Sequence, residues 1–221
     1  MKIGVIILAR ANFGRWPDKV LYKLQGKTLL EHVIRKSKQL DVDTIIVSTT
    51  DSQEDQIIRD IAWDAGAFIS RGEPEDRTAR INKAIRENKL DYILNISPAA
   101  PFMDVELTNK VIAAFRENPG YDFYRPGGYT WSFVWWVVKS TVIFKQFERA
   151  DRDQELYSDP TAAHKVFSLY DWHGPELRNR FLFDGNIAYR IQADNHRRIC
   201  EYLGHFPENY DEVVEALMGI G

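Results

Sequence analysis

The sequence has few of the residues that build covalent or histidine-based centres. Cys200 is its only cysteine, so no disulfide can form within the chain and a cysteine-rich zinc site is excluded. The histidines show neither HExxH nor facial-triad spacing. No Ser-His-Asp or Cys-His arrangement is recognisable. Hydrolase chemistry and a histidine-based metal site therefore have no support.

Long apolar runs and an excess of one charge are also missing. The longest apolar block, residues 133–138, is far shorter than the roughly 20 residues of a membrane-spanning helix. Residues 3–9 are too short for the core of a signal peptide, and the lone cysteine fits a reducing compartment, so we expect a cytoplasmic protein. A net charge of −3 gives no reason to expect nucleic-acid or membrane binding.

What is present, in the first half of the chain, is a regular alternation of strand-like and helix-like segments. The predicted strands are residues 3–9, 44–48, 67–69 and 92–96, and the predicted helices are residues 28–39, 53–65, 76–88 and 105–117. This order predicts an α/β protein with a mostly parallel sheet covered by helices, whose strands all end at one edge. Ser52 with Asp55 resembles a capping box, and Asp104 is a candidate cap for the helix that follows it.

The second half is less regular. It predicts a strand at 133–138, a helix at about 140–149, a strand near 188–191, and helical segments at about 195–203 and 211–218. No internal repeat, low-complexity tract or linker separates these elements. We therefore expect residues 1–221 to form a single domain.

The first predicted strand leads into a basic loop, and residues 3–19 read IGVIILARANFGRWPDK. Ligands of parallel sheets bind where such strands end. Arg10, Arg15 and Lys19 supply cations that suit a polyphosphate. The loop has neither a Walker pattern nor GxGxxG, which argues against a P-loop kinase and a dinucleotide site. The alternative is a solvated basic loop with a turn proline.

These residues resemble the start of the sugar-activating nucleotidyltransferases that use CTP. That group includes the CMP-Kdo and CMP-sialic-acid synthetases and the spore-coat polysaccharide cytidylyltransferases, and it often carries Ala-Arg-x-x-Ser-x-Arg-x-Pro-x-Lys. Ala9-Arg10, Arg15, Pro17 and Lys19 match in spacing, and residues 20–34 continue the match. The resemblance implies a nucleotidyltransferase (glycosyltransferase-A-like) fold, with a mixed and mostly parallel sheet between helices. It also implies CTP and an acidic or modified sugar as substrates, Mg²⁺ as cofactor, and a homodimer.

The resemblance assigns roles to the first loop. Arg10 and Arg15 would hold the leaving pyrophosphate, and Lys19 would stabilise the charge that develops at the α-phosphate. Ala9, Ala11 and Asn12 would form the loop around the base and phosphates. The chain departs from the pattern at residues 13–14, where relatives usually carry serine.

Three later segments extend the resemblance. Asp51 follows the second strand as in "A-T-S-D", although a simple helix-capping turn is an alternative. Arg71, Asp76 and Arg80 match "R-G-x-x-x-D-V-L-x-R", which implies nucleotide or phosphate contact, and an Asp–Arg pair four residues apart on a helix is the alternative. Ser97 follows the fourth strand and would also contact the nucleotide.

The metal and sugar motifs have diverged. Relatives carry a Mg²⁺-binding aspartate where this chain has Ala99, and alanine cannot bind a hard cation. Asp194 aligns with the second metal carboxylate, with a helix cap as its alternative. Tyr129 and Trp131 occupy the segment that is acidic in relatives, and they are candidates for stacking on a sugar, although such aromatic clusters more often belong to the core.

Two functions from different classes follow. The first is a cytidylyltransferase for surface polysaccharide synthesis, and the second is a nucleotide-binding relative without transfer activity that serves as a regulatory or scaffold protein. Glycosyl transfer from a nucleotide sugar is a third possibility, against which the absence of a clear Asp-x-Asp motif argues.

Overall fold

A seven-stranded mixed sheet forms the centre of the computed structural model, which describes residues 1–11, 18–126, 137–147, 166–169 and 193–220. The strands are β1 (Ile3–Leu8), β2 (Lys23–Leu24), β3 (Lys27–Thr28), β4 (Thr44–Thr50), β5 (Phe68–Gly72), β6 (Tyr92–Ile96), β7 (Phe123–Pro126), β8 (Val137–Lys139) and β9 (Val166–Leu169). The sheet order is β5-β4-β1-β6-β8-β7-β9, and β2 pairs with β3 in a separate hairpin.

Four of the six pairings in the large sheet are parallel. Strand β1 pairs in parallel with β4 and β6, β4 with β5, and β7 with β9, whereas β8 runs antiparallel to β6 and β7. The predicted α/β class with a mostly parallel mixed sheet is therefore confirmed. Because β1, β4, β5 and β6 run in the same direction, the residues that follow them meet at one edge.

The helices are α1 (Leu29–Ser37), α2 (Gln56–Asp64), α3 (Arg77–Asn88), α4 (Val105–Glu117), α5 (Ser140–Phe147), α6 (Ala193–Leu203) and α7 (Tyr210–Ile220). Short 3₁₀ helices at Lys19–Leu21 and Gln53–Asp55 precede β2 and α2. No helix among these has the length and apolar content to cross a membrane, and this applies to the described residues alone.

Strand β1 is buried because its side chains alternate between two hydrophobic clusters. Ile3, Val5 and Ile7 join the larger cluster, while Ile6 joins a second one together with residues of β4, α3 and β6. A side chain at Gly4 would clash with its neighbours, because a Cβ there would lie 2.8 Å from a methyl group of Leu90. A strand buried on both faces reads as a continuous apolar run, which is why the sequence predicted it.

Local capping starts three of the helices. Thr28 and Glu31 form a reciprocal capping box at α1. Asp76 accepts from the third backbone N–H of α3 at 2.7 Å. Asp104 accepts from Leu107 N–H at 2.8 Å, which confirms the predicted cap of α4. Each bond satisfies a backbone donor that the helix itself leaves unpaired.

The short strands were not predicted. The β2–β3 hairpin turns through Gln25 and Gly26, which have φ angles of 47° and 81°, as expected for a two-residue turn with both residues left-handed. Strands β7 and β9 carry too few residues for a period-two pattern. Of the predicted strand at 133–138, the described part begins at Val137, and the predicted strand near 188–191 lies outside the described residues. That the chain forms a single domain stays a prediction.

Candidate active site

The loop after β1 is fixed by two long-range hydrogen bonds. Ala9 N–H donates to the carbonyl of Ser48 at 3.0 Å, and Ala11 N–H donates to Oδ1 of Asp55 at 2.6 Å. Both alanines are buried. Their N–H groups are thus bonded within the protein, and their predicted contacts with the nucleotide stay predictions. The predicted site residues Asn12 and Arg15 lie outside the described residues.

Asp55 is a site residue that the sequence interpretation missed. Its carboxylate is 1% exposed, and it also accepts from the backbone N–H and the hydroxyl of Thr50. The predicted capping box is wrong, because Ser52 makes no side-chain capping bond. A buried carboxylate is better satisfied by three converging donors than by one cap. Its position just after β4, at the sheet edge, was the available signal.

Two predicted arginines converge on one backbone carbonyl. Nη1 of Arg10 donates to Pro74 O at 2.6 Å, and Nη1 of Arg80 donates to the same oxygen at 2.7 Å and to Glu73 O at 2.6 Å. Nη2 of Arg10 also lies 3.6 Å from the carboxylate of Glu75. The structure therefore brings Arg10 and Arg80 together, and both hold the segment that follows β5.

This cluster brings several positive charges close together. Arg80 is 5% exposed, and its Nε has no hydrogen-bond partner. Burial lowers the pKa of Arg80, and the neighbouring charges of Arg10 and Arg77 lower it further, while Asp55 and Asp76 oppose them. An anion bound here would relieve this repulsion between like charges.

Arg71 and Asp51 lie side by side at the exposed end of β5 and β4. Nε of Arg71 is 3.6 Å from Oδ1 of Asp51, and both side chains are more than half exposed. Asp51 N–H donates to Gly72 O at 3.3 Å, which joins the loop after β4 to the end of β5. Asp76, by contrast, caps α3. The nucleotide contacts of these residues stay predictions.

Lys19 lies in the 3₁₀ helix that follows the loop, and it is close to α6. Burial lowers the pKa of Lys19. Burial also lowers the pKa of His196 to about 3, and the charge of Lys19 contributes to that shift. His196 is 2% exposed, its Nδ1 has no hydrogen-bond partner, and its ring packs edge-on against Phe102 with centroids 4.9 Å apart. The structure thus places α6 beside Lys19.

The predicted metal residue belongs to this helix. Asp194 is the second residue of α6, and its side chain lies outside the part of the structure described. Cys200, further along α6, is buried, and burial raises the pKa of its thiol to about 11, so it stays protonated and unreactive.

The loop after β6 carries no carboxylate where relatives have one. Ser97 is exposed, its Oγ accepts from Ala99 N–H at 3.3 Å, and its carbonyl accepts from Ala100 N–H at 3.2 Å. Across the side chains that the structure describes, no group of three histidine, cysteine, aspartate or glutamate residues is arranged to hold a metal ion.

A buried lysine anchors this loop to the end of the chain. The side chain of Lys36 is completely buried, and its Nζ donates to the carbonyls of Met103 at 3.1 Å, Pro207 at 3.1 Å and Glu208 at 3.0 Å. One turn earlier, His32 stacks on Phe206 with centroids 4.1 Å apart. The sequence gives little signal for Lys36, because lysines on amphipathic helices are usually exposed.

Comparison with known proteins identifies the family. A cytidylyltransferase family model matches residues 4–171. The 3-deoxy-manno-octulosonate cytidylyltransferase of Trichlorobacter lovleyi is 31% identical over 121 residues, which are 54% of this chain and 47% of that protein. The spore coat polysaccharide biosynthesis protein SpsF of Bacillus subtilis is 32% identical over 124 residues, or 53% of this chain and 52% of that protein. The chain thus spans about half the length of these curated relatives.

A solved structure extends the likeness to the whole fold. A cytidylyltransferase from Leptospira borgpetersenii superposes with a TM-score of 0.82, covering 100% of this chain and 95% of that chain at 18% identity. This agreement confirms the predicted nucleotidyltransferase fold. Together with the match over residues 4–171, it shows that the chain belongs to the cytidylyltransferase family.

Proposed function

We propose that the protein transfers CMP from CTP to an acidic or modified sugar for surface polysaccharide synthesis. The observation that carries this proposal is the family match over residues 4–171, which contains the basic cluster at the carboxyl edge of the parallel strands. Relatives named for activity on 3-deoxy-manno-octulosonate and for spore-coat polysaccharide synthesis support this class of acceptor.

In the proposed reaction, a hydroxyl oxygen of the sugar, or an oxygen of a sugar phosphate, attacks the α-phosphorus of CTP in line. The bond from that phosphorus to the bridging oxygen breaks, and pyrophosphate leaves with the bonding electrons. Where the attacking group is a hydroxyl, its proton passes to water. Arg10 and Arg15 would hold the pyrophosphate, and Lys19 would stabilise charge that grows at the α-phosphate. The N–H groups of Ala9 and Ala11 are bonded within the protein, so the proposal assigns this work to the side-chain cations.

Mg²⁺ belongs to the proposal as a companion of the nucleotide. The described residues alone do not form a metal site, and Ala99 contributes no oxygen ligand from its side chain. Mg²⁺ is commonly held by substrate phosphates and one or two carboxylates, and we propose Asp194 as a carboxylate near it. When bound, the ion offsets negative charge on the triphosphate. A cytoplasmic homodimer is also part of the proposal.

The test is pyrophosphate release from CTP and Mg²⁺ with a panel of 3-deoxy-2-ulosonic acids. We expect release with CTP and at least one acceptor, and less with ATP, GTP or UTP. Lys19→Ala is the matched control, because it removes one proposed catalytic charge from a half-buried turn. Absence of release across the panel with all four nucleotides would contradict transferase activity.

A second function, nucleotide binding without transfer, is favoured by one observation, namely Ala99 at the position of the usual metal aspartate. Calorimetry separates the two functions. Binding of CTP that Mg²⁺ does not strengthen, together with no turnover, would identify a regulatory or scaffold protein. Binding that Mg²⁺ strengthens, with turnover, would identify the enzyme.

A further inference from the structure

Asp55 joins two loops of the candidate site through opposite oxygens of one carboxylate. Oδ1 accepts from Ala11 N–H at 2.6 Å, and Oδ2 accepts from Thr50 N–H at 3.3 Å and from the Thr50 hydroxyl. Ala11 follows β1, and Thr50 is the last residue of β4. The carboxylate therefore fixes the chain after one strand to the end of its neighbour.

Burying this carboxylate is costly unless its oxygens accept hydrogen bonds, and Ala11 and Thr50 supply them. Asp104, the comparable buried aspartate, caps its own helix at Leu107 N–H. Asp55 has the same opportunity at the start of α2, yet α2 receives no side-chain cap from it. The carboxylate is used for a contact 44 residues away in sequence instead.

The contact fixes the backbone on both sides of Arg10. Ala9 N–H is held by Ser48 O, and Ala11 N–H is held by Asp55, so the direction in which the Arg10 side chain leaves the chain is defined. The Arg10 guanidinium then reaches Pro74 O at 2.6 Å, in the basic cluster with Arg80.

We infer that Asp55 is a positioning residue for the triphosphate of the nucleotide, acting through Ala11 and Arg10. This inference rests on the proposed function, because it requires that the nucleotide binds at Arg10. Asp55 itself touches no phosphate in this arrangement. Its removal releases the backbone at Ala11 while the Arg10 guanidinium keeps its bond to Pro74 O, so the path of the chain at Arg10 shifts. A small misplacement of a binding group is enough to weaken catalysis strongly.

The experiment compares four variants with the wild type by calorimetry with CTP, steady-state kinetics and thermal melting. Asp55→Ala should raise the Kd and the KM for CTP by about 10-fold or more. Asp55→Asn keeps an oxygen for Ala11 N–H and should recover most of that loss. Asp104→Ala should lower the melting temperature through its lost cap, but should leave the Kd for CTP within about twofold of wild type. Thr50→Val removes only the hydroxyl on the far side of the carboxylate and should also leave the Kd nearly unchanged.

The outcomes separate this inference from the proposed function. A wild-type protein that binds no CTP overturns both. A wild-type protein that binds CTP, with Asp55→Ala and Asp104→Ala changing its Kd equally little, overturns the positioning role alone. Should Asp55→Ala fail to fold, Asp55→Ser replaces it, because serine keeps a polar group near Thr50 and is too short to reach Ala11. An unchanged Kd in that variant would then refute the role.

Discussion

Replacing Lys36 by methionine tests whether the buried ammonium group anchors the end of the chain. The substitution keeps an unbranched side chain of similar size and removes the charge and the three donors. Three carbonyls, those of Met103, Pro207 and Glu208, then lose their partner. We expect the lost bonds to outweigh the relief from removing a buried charge.

The magnitude follows from two opposing effects. Hydrogen bonds to a charged group contribute about 1.5–3 kcal/mol each. Burial lowers the pKa of Lys36 from 10.5 to about 8, and the charge of Glu208 opposes that shift. A shift of this size corresponds to a cost of about 3 kcal/mol for the charged form. Lys36→Met should therefore lower the free energy of unfolding at pH 7 by about 2–4 kcal/mol, or the melting temperature by about 5–15 °C.

The pH dependence of this difference has a defined sign. Between pH 8 and pH 10.5 the folded protein releases the Lys36 proton before the unfolded chain does, so unfolding takes up a proton and stability rises with pH. The wild type should therefore gain about 2 kcal/mol over Lys36→Met between pH 7.5 and pH 9.5. Below pH 7 both states of Lys36 are charged, and the difference should be constant.

Urea denaturation of both proteins at pH 7.5 and pH 9.5 measures these quantities. Lys110→Met is the matched control, because Lys110 is half exposed and pairs with Glu106 at 2.8 Å on the surface of α4. Its loss should change the free energy of unfolding by less than about 0.5 kcal/mol. If Lys36→Met matches this control, the anchoring role of the ammonium group is refuted. A difference from wild type that does not rise with pH would instead refute the lowered pKa of Lys36.

Three further predictions test the site and its supports. Lys19→Ala should lower kcat by roughly 10²–10³-fold and leave the melting temperature unchanged. Turnover of CTP and thermal melting measure the two quantities. An unaltered kcat would show that Lys19 lies outside the site. Arg80→Met should lower the free energy of unfolding by about 1–3 kcal/mol in a urea titration, because Arg80 is buried and bonded to two carbonyls. Arg71 is more than half exposed, so Arg71→Met should change that free energy by less than about 0.5 kcal/mol in the same titration. Asp104→Ala should cost about 1 kcal/mol in urea denaturation through the lost cap of α4, and no loss would mean that water replaces the carboxylate.

The parallel half of the fold was predictable because each of its elements carries its own signal. Strand β1 is buried on both faces and reads as a continuous apolar run, and β6 does so except at Asn95. Helices α3 and α4 begin at aspartates that cap them locally. In β7, β8 and β9 the pairing partners are distant in sequence, and strands of three or four residues are too short to show a period. Their pairing is a property of the assembled sheet.

The candidate site was predictable in its position and less so in its bonds. The motif around Arg10 and Lys19 marks the carboxyl edge of β1, and Arg10 lies two residues after that strand. Asp55 was interpreted as a local cap because the capping pattern is local, and the competing contact with Ala11 depends on how β1 and β4 pair. A tertiary bond of this kind leaves no periodic trace in the sequence.

Hydrogen bonds between residues distant in sequence connect each loop of the site to the next. The loop after β1 is bonded to β4 at Ser48 and to Asp55, and the loop after β4 is bonded to the end of β5 at Gly72. Arg10, in the loop after β1, donates to the carbonyl of Pro74 in the segment after β5 and so connects the first loop to the last. These bonds hold the described ends of the loops before a nucleotide binds, which lowers the conformational entropy that binding has to remove there.

The loop after β6 is held from the other side of the site. Met103 is bonded to Lys36, and Phe102 packs against His196 of α6, the helix that also carries Asp194. The charge of Lys19 contributes to the lowered pKa of His196, so α6 lies within electrostatic range of the proposed catalytic lysine. The basic cluster and the proposed metal carboxylate therefore depend on different parts of the core. A substitution that loosens α6 should weaken the transfer step while leaving the arginines, and hence much of the nucleotide affinity, in place.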